Sequence, residues 1–434
     1  MKLYKRLGVA TLCAMAIMLG GCADSPSNSG VNINTDYTSS SFDAAFTFPD
    51  TSSQNEQSNN IIYFGNKDIG DISELYSRTS GGSVNVELCG EPNYTEVLSA
   101  KISSDNSPDL CDKVENTFPY LMSMNLYEDL TNYIDTTSPQ WLDYTDVIER
   151  YSFKGGRFFY PTTVKIMPEF LIYVKTEYIL CGNLPDPEKQ WLRDEWTWND
   201  FRNGAVGILN SGLGDEFLVS GNGVFDNFLA TSGDPLFTLN GNRFVNNLES
   251  DSAYRLYDFL MQNESKYDSV TNATDEMEYA VFLSGDENTI AELRKTDLTI
   301  GVVPYPRYEL ADEYYCKAVA EGFLVPKGAK NIQAAASFIN SSRISDASEE
   351  QQEKYDKELI KRGLLRSDVE WLRSLRSSKN MTPILVDVNC FDKAANDAAN
   401  SLLTYRGTEA WADVLALYSP AVNSAIDNIN AVIE

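Results

Sequence analysis

The sequence predicts an α/β protein built on mainly parallel sheets, and three observations carry that expectation. Between residues 61 and 112 the pattern runs strand, helix, strand, helix, strand, the sign of a parallel sheet with crossover helices. About 370 residues remain beyond residue 60, enough for two lobes with separate cores. Late in the chain, two more strands lead into an alanine-rich helix, "EGFLVPKGAKNIQAAASFIN", so the alternation resumes.

The first element is not part of the fold. "MKLYKRLGVATLCAMAIMLGGC" places Lys2, Lys5 and Arg6 before an apolar run, Leu7 to Leu19, that is too short for a convincing membrane span and ends in small residues at Cys22. This reads as a secretory leader, residues 1–21, with a lipobox whose Cys22 takes the lipid. Residues 22–60 are rich in Ser, Asn, Thr and Asp and poor in aliphatics, so they read as a flexible tether. The working protein is then expected on the outer face of the cytoplasmic membrane, as on a Gram-positive cell surface, held through its lipid only.

Strand Ile61 to Phe64 breaks at Gly65 and delivers Asn66, Lys67 and Asp68 to a loop. A helix near Ile72 to Ser77, a strand from Val84, the helix "YTEVLSAKISS" and a short strand ending near Asp112 follow. In such sheets ligands gather beyond the carboxyl ends of the strands. Downstream, Arg157 to Tyr160 and Glu169 to Val174 read as extended runs separated by Pro161, Thr162, Thr163 and Pro168. The prolines predict a break there, with both threonine hydroxyls facing solvent.

"EWTWNDF" poses a choice between an aromatic platform and a helix start. Thr197 as N-cap, Asp200 three residues on, and Trp196 and Phe201 at the flanking and fourth positions spell a capping box with a hydrophobic staple, so the helix start is preferred. The glycines of "NSGLGDEFLVSGNGVFDNFLATSGDPLF" match no phosphate-loop spacing and predict loops around a helix. "LTIGVVPYPRY" is a strand ending at Pro304, Tyr305 and Pro306, and "SEEQQEKYDKELIKRGLL" is a solvated helix face.

Composition narrows the chemistry. With no histidine, Ser-His-Asp and Cys-His mechanisms and the usual zinc sites are out of reach, and no cofactor is implied. The net charge of -28 becomes about -31 once the leader is removed, a field that disfavours nucleic acid and anionic surfaces. Of the seven cysteines, Cys89, Cys111, Cys181, Cys316 and Cys390 remain after Cys13 and Cys22, and they read mainly as small buried hydrophobes. Paired carboxylates remain available for glycosidase chemistry.

"SPDLCDKVENTFPYLMSMNLYEDLTNYI", "YPTTVKIMPEFLIYVKTEYI" with "EWTWNDF" downstream, "IGVVPYPRY" and "EGFLVPKGAKN" resemble, in this order, the extracellular solute-binding proteins of carbohydrate ABC transporters. The likeness runs from about Ile61 to the C-terminus. It implies a two-lobed clamp of the type II periplasmic-binding-protein class, each lobe a mainly parallel sheet flanked by helices, joined by a hinge of several crossing segments. Lobe 1 would take residues 61–163 and 304–345, and lobe 2 residues 164–303 and 346–434. Crossings would fall near 160–165, 303–307 and 340–346.

The family resemblance implies cleft residues Asn66, Asp68, Asp112, Tyr160, Thr162, Thr163, Asn227, Tyr305, Glu321 and Gly322. It also implies a monomer that binds a carbohydrate and presents it to permease subunits. Two departures from many relatives stand out: "CKAVAEG" is bulkier before Gly322, which would narrow the cleft, and Asn66 and Lys67 stand where a stacking tryptophan is common. Pyranoses offer apolar faces to aromatics and hydroxyls to carboxylates and amides, and this composition permits both. A lipid-anchored binding protein is the preferred reading. A surface carbohydrate-active enzyme using two carboxylates is the alternative, and a tethered adhesin or sensor subunit a third.

Overall fold

The computed structural model describes residues 59–88, 94–181, 183–212, 217–221, 223–234, 237–240, 243–261, 273–346, 348–377, 381–385, 390–403 and 410–433. The leader, Cys22, most of the tether and Cys89 lie outside them.

Strand β1 (Ile61–Gly65), helix α1 (Gly70–Ser80), strand β2 (Val84–Leu88), helix α2 (Tyr94–Ser103) and strand β3 (Leu110–Asp112) follow in the predicted order. β1 pairs in parallel with β2 and β3. Its Tyr63 and Phe64 are both buried, on opposite faces, because helices cover both sides of a parallel sheet. Next come β4 (Phe159–Ile166), β5 (Phe170–Val174), α3 (Trp198–Leu209), β6 (Phe217–Gly221), α4 (Val224–Ala230), β7 (Ala280–Gly285) and β8 (Ile300–Val303). The described chain closes with β9 (Tyr314–Leu324), α5 (Ile332–Asp346), α6 (Glu349–Arg362), β10 (Met381–Leu385) and a long final helix, Trp411–Ile433.

These strands form two sheets. The first has the order β10-β9-β3-β1-β2, with β4 also on β9; the second has the order β8-β5-β7-β6. The chain passes from first to second between β4 and β5 and returns between β8 and β9. A third passage follows α5, whose Phe338 and Ile339 share a core with Tyr76 of α1 and Phe323 of β9, while Leu359 of α6 shares the second sheet's core with Phe170 of β5 and the helical Ile290. β10 pairs in parallel with the first half of β9, so the division between the lobes runs along a strand there.

One expectation is overturned: β4 does not break at Pro161. It continues to Ile166 through a bulge at which the register on β9 shifts between Glu321 and Gly322. A proline has no N–H to give a ladder, and a bulge is where a strand tolerates that loss. Thr162 is consequently 3% exposed, not a hydroxyl facing solvent.

The "EWTWNDF" reading holds. Thr197 Oγ1 accepts from Asp200 N at 3.3 Å, Thr197 N donates to Asp200 Oδ2 at 3.2 Å, and Trp196 meets Phe201 edge-on at 6.3 Å. Both tryptophans are core, their indole N–H groups donating to Pro304 O and Thr231 Oγ1. Cys111, Cys316 and Cys390 are buried as expected.

Candidate functional site

The β4/β9 pair forms a ribbon from which the chain leaves for the second sheet, and its register decides what it presents. Val319 lies opposite Lys165 and Glu321 opposite Thr163, so these four share one face, and alternation adds Lys317. The C-terminal ends of β1 and β3 lie at one end of this face and α4 at the other. Lys317 and Glu321 stand roughly 13 Å apart along β9.

At the first-sheet end, Asp112 is buried. Tyr63 Oη donates to its Oδ1 at 2.7 Å and Asn66 N to its Oδ2 at 2.9 Å. A Cβ on Gly65 would lie 2.3 Å from Asp112 Oδ2, so glycine is required for this approach. Asp112 thus shapes the loop after β1 and leaves the Asn66 side chain exposed. Asp68, also exposed, accepts from Gly70 N at 3.0 Å at the start of α1.

Glu321 takes an ion pair from Lys165 at 2.8 Å and stands 4.0 Å from Lys67. Burial pushes its carboxyl up, but the Lys165 hydrogen bond and the charges of Lys165, Lys67 and Lys113 outweigh that and hold it below the usual range. The bulge is clamped from α5. Arg343 Nη1 donates to Thr162 O at 3.3 Å with its guanidinium 3.8 Å over the Tyr144 ring, and Thr163 Oγ1 donates to Asp346 at 3.0 Å. Burial raises Asp346 despite hydrogen bonds from both threonine hydroxyls.

At the second-sheet end, Lys317 pairs with Asp226 of α4 at 2.7 Å and with Glu169 at 3.5 Å. Asn227 Nδ2 donates to Glu169 Oε2 at 3.2 Å and Gly223 O at 2.7 Å. Burial lifts the Glu169 carboxyl, only partly offset by Lys317. Burial also works against the Lys317 charge, yet Asp226 and Glu169 hold its pKa above the ordinary range. Lys317, Glu169 and Asn227, with Tyr305 and Thr231, line a cavity of about 10 Å³, the room of one water.

The structure therefore gathers Asn66 with Asp112, and Thr162 and Thr163 with Glu321, while Asn227 and Tyr305 flank the small cavity, where Asn227 is 3% exposed with its amide committed to Glu169 and Gly223 and so holds α4 in place instead of facing an open cleft. Two aromatic expectations are corrected. Tyr160 is fully buried in the first core, edge-on to Trp141 at 5.6 Å, because its side chain points to the helix-covered face of β4. Tyr305 is 5% exposed, donates to Ser284 Oγ at 2.6 Å and meets Phe228 edge-on at 5.0 Å, so it is core at the rim of the cavity. Gly322 is also buried, with room for no Cβ: one would lie 2.8 Å from Tyr160 O. Sequence reasoning missed Lys165, Glu169, Asp226, Lys317, Arg343 and Asp346. The spacing of Lys317, Val319 and Glu321 was the available signal, had "CKAVAEG" been read as a strand.

A roomier cavity, about 270 Å³, opens at the opposite end of the first sheet, lined by Asn60, Ser83, Asn85, Asp109 and Lys330 among others. It lies beyond the amino ends of the strands, the wrong side for a switch-point site. Its Asp109 is already engaged by the backbone N–H groups of Ile62, Lys330 and Asn331. Among the described residues no group of three or more His, Cys, Asp or Glu is placed to hold a metal.

Residues 72–363 match the family model of bacterial extracellular solute-binding proteins. No curated protein matches the sequence significantly. Among solved structures, the galacto-N-biose/lacto-N-biose I-binding protein of the ABC transporter from Bifidobacterium longum, in complex with lacto-N-biose, superposes with TM-score 0.61 at 14% identity, covering 87% of this chain and 99% of that one. The ABC substrate-binding protein Lmo0181 from Listeria monocytogenes, in complex with cycloalternan, gives TM-score 0.57 at 16% identity, covering 86% and 99%. The cyclic α-maltosyl-1,6-maltose binding protein from Arthrobacter globiformis gives TM-score 0.58 at 15% identity, covering 86% and 100%. The shared architecture is the two-lobed clamp, and with two thirds of its length under the family model this chain belongs to the bacterial extracellular solute-binding proteins.

Proposed function

We propose that the protein is a lipid-anchored extracellular binding protein that captures an oligosaccharide between its two lobes and delivers it to an ABC permease. The observation that carries this reading is the β4/β9 ribbon, whose polar face joins the carboxyl ends of β1 and β3 to α4 of the second lobe. A ligand bridging both ends would hold the lobes together and favour a closed form. Sugars in complex with two of the neighbours, and the sugar for which a third is named, support saccharide as the cargo. The leader and Cys22 support the anchor. The carboxylates around the cleft are engaged within the protein, Glu321 to Lys165, Glu169 and Asp226 to one lysine and Asp112 to the loop after β1, which favours binding over glycosidase chemistry.

The test is a thermal-shift screen of oligosaccharides followed by X-ray scattering with the best stabiliser. Free ligand at about 100 times Kd should stabilise by about 2.7 kcal/mol and make the particle more compact. Scattering profiles that superimpose with and without that ligand would contradict the clamp.

A further inference from the structure

We propose that the cleft takes an acidic oligosaccharide, one whose sugars carry carboxylates, held at Lys67 and Lys165. This deepens the saccharide-capture reading and rests on it. Across the chain acidic residues outnumber basic ones 63 to 35. Yet at the end of β1 and on the ribbon, two ammonium groups from separate elements, Lys67 and Lys165, flank the single carboxylate of Glu321, and the charge of Lys113 after β3 reaches the same carboxylate. The other acids nearby are engaged within the protein. Asp112 is 5% exposed with both oxygens engaged, Asp346 is tied to Thr163 beside Arg343, and Asp68 turns to the start of α1.

The cluster is open to a ligand. The Lys67 and Lys165 side chains are 36% and 55% exposed, and that of Glu321 is 35%. Lys67 and Lys113 are steadied by aromatic rings beneath them, Phe323 at 5.6 Å for the first and Tyr151 and Phe159 at 5.6 and 5.8 Å for the second. The usual apolar route to a pyranose is weak by contrast. Trp141, Trp196, Trp198 and Trp411 are buried, Trp191 packs edge-on to Tyr314, and Trp371 is tied to Val302 O. Among the described residues no tryptophan offers an open face at this site, so recognition falls to charge-assisted hydrogen bonds. A uronate carboxylate would share Lys165 and Lys67 with Glu321, accepting hydrogen bonds from both.

The experiment is calorimetric titration of the full-length protein with uronic acid trimers of galacto, manno and gluco configuration, each beside its neutral counterpart, and with inorganic phosphate alone. At least one acidic trimer should bind about tenfold tighter than its neutral partner and weaken as sodium chloride rises from about 0.05 M to about 0.5 M. Lys165→Gln should weaken that trimer about tenfold and lower the ligand-free melting temperature only slightly, since the pair it removes is half exposed. Neutral trimers that bind as tightly as acidic ones, without salt dependence, would overturn this inference and leave saccharide capture standing. Equal binding of phosphate alone would overturn it as mere charge attraction. Failure of every saccharide to bind would overturn both readings.

Discussion

Lys165 and Glu321 face each other diagonally across the β4/β9 ribbon at 2.8 Å, and the bulge at Pro161 sets the register that brings them together. Their pairing gives the cleft floor a pH dependence of known sign. The folded-state pKa of Glu321 is lowered, so its contribution to stability is fully present above the ordinary glutamate range and is lost as pH falls through the folded value. The loss of melting temperature between pH 6 and about pH 3.5 should therefore be smaller in Glu321→Gln than in the parent protein. Identical pH profiles would refute the pair's role.

Lys317 is the more demanding position. It is 9% exposed between Asp226 and Glu169, so Lys317→Met leaves two carboxylates facing each other without their cation. The expected cost is about 3 to 5 kcal/mol at pH 7. The deficit should shrink toward pH 5, because the Glu169 pKa, already raised, lets protonation relieve the repulsion first. Chemical denaturation at the two pH values checks both statements.

Tyr305 separates core from cleft. Tyr305→Ala should lower ligand-free stability by about 3 to 5 kcal/mol, as for other large aromatic truncations. Tyr305→Phe should cost only about 1 kcal/mol, the hydrogen bond to Ser284. An alanine variant that melts like the parent yet loses ligand would return Tyr305 to the cleft.

The first sheet was legible because each of its early elements is declared locally, by apolar runs ended at Gly65 and Asp112 and by helical periods between them. The capping box at Thr197 was legible for the same reason. Pro161 misled because proline reports the loss of a donor, not the bulge that tolerates it. The site was legible only in part. Asn66, Asp112, Thr163 and Asn227 were expected from the family resemblance, with strand ends supporting the first two, whereas Lys165 meets Glu321 only through a long-range register that no local pattern contains. Tyr305 looked open between two prolines, but its packing on Phe228 comes from a different part of the second lobe.

Anchoring makes a separate claim. Cys22→Ala should move the protein from the membrane fraction to the medium or periplasm and abolish incorporation of labelled fatty acid. A variant that keeps its acyl chain would contradict the lipobox.

The most direct test of the central claim is titration of the intact protein with oligosaccharides, followed by chromatographic recovery of whatever was bound. The account requires one saccharide per chain, recovered unchanged, with affinity reduced in Lys165→Gln on the ribbon. A saccharide recovered cleaved would make the protein an enzyme, and one that binds equally well to this variant would place the site away from the β4/β9 ribbon.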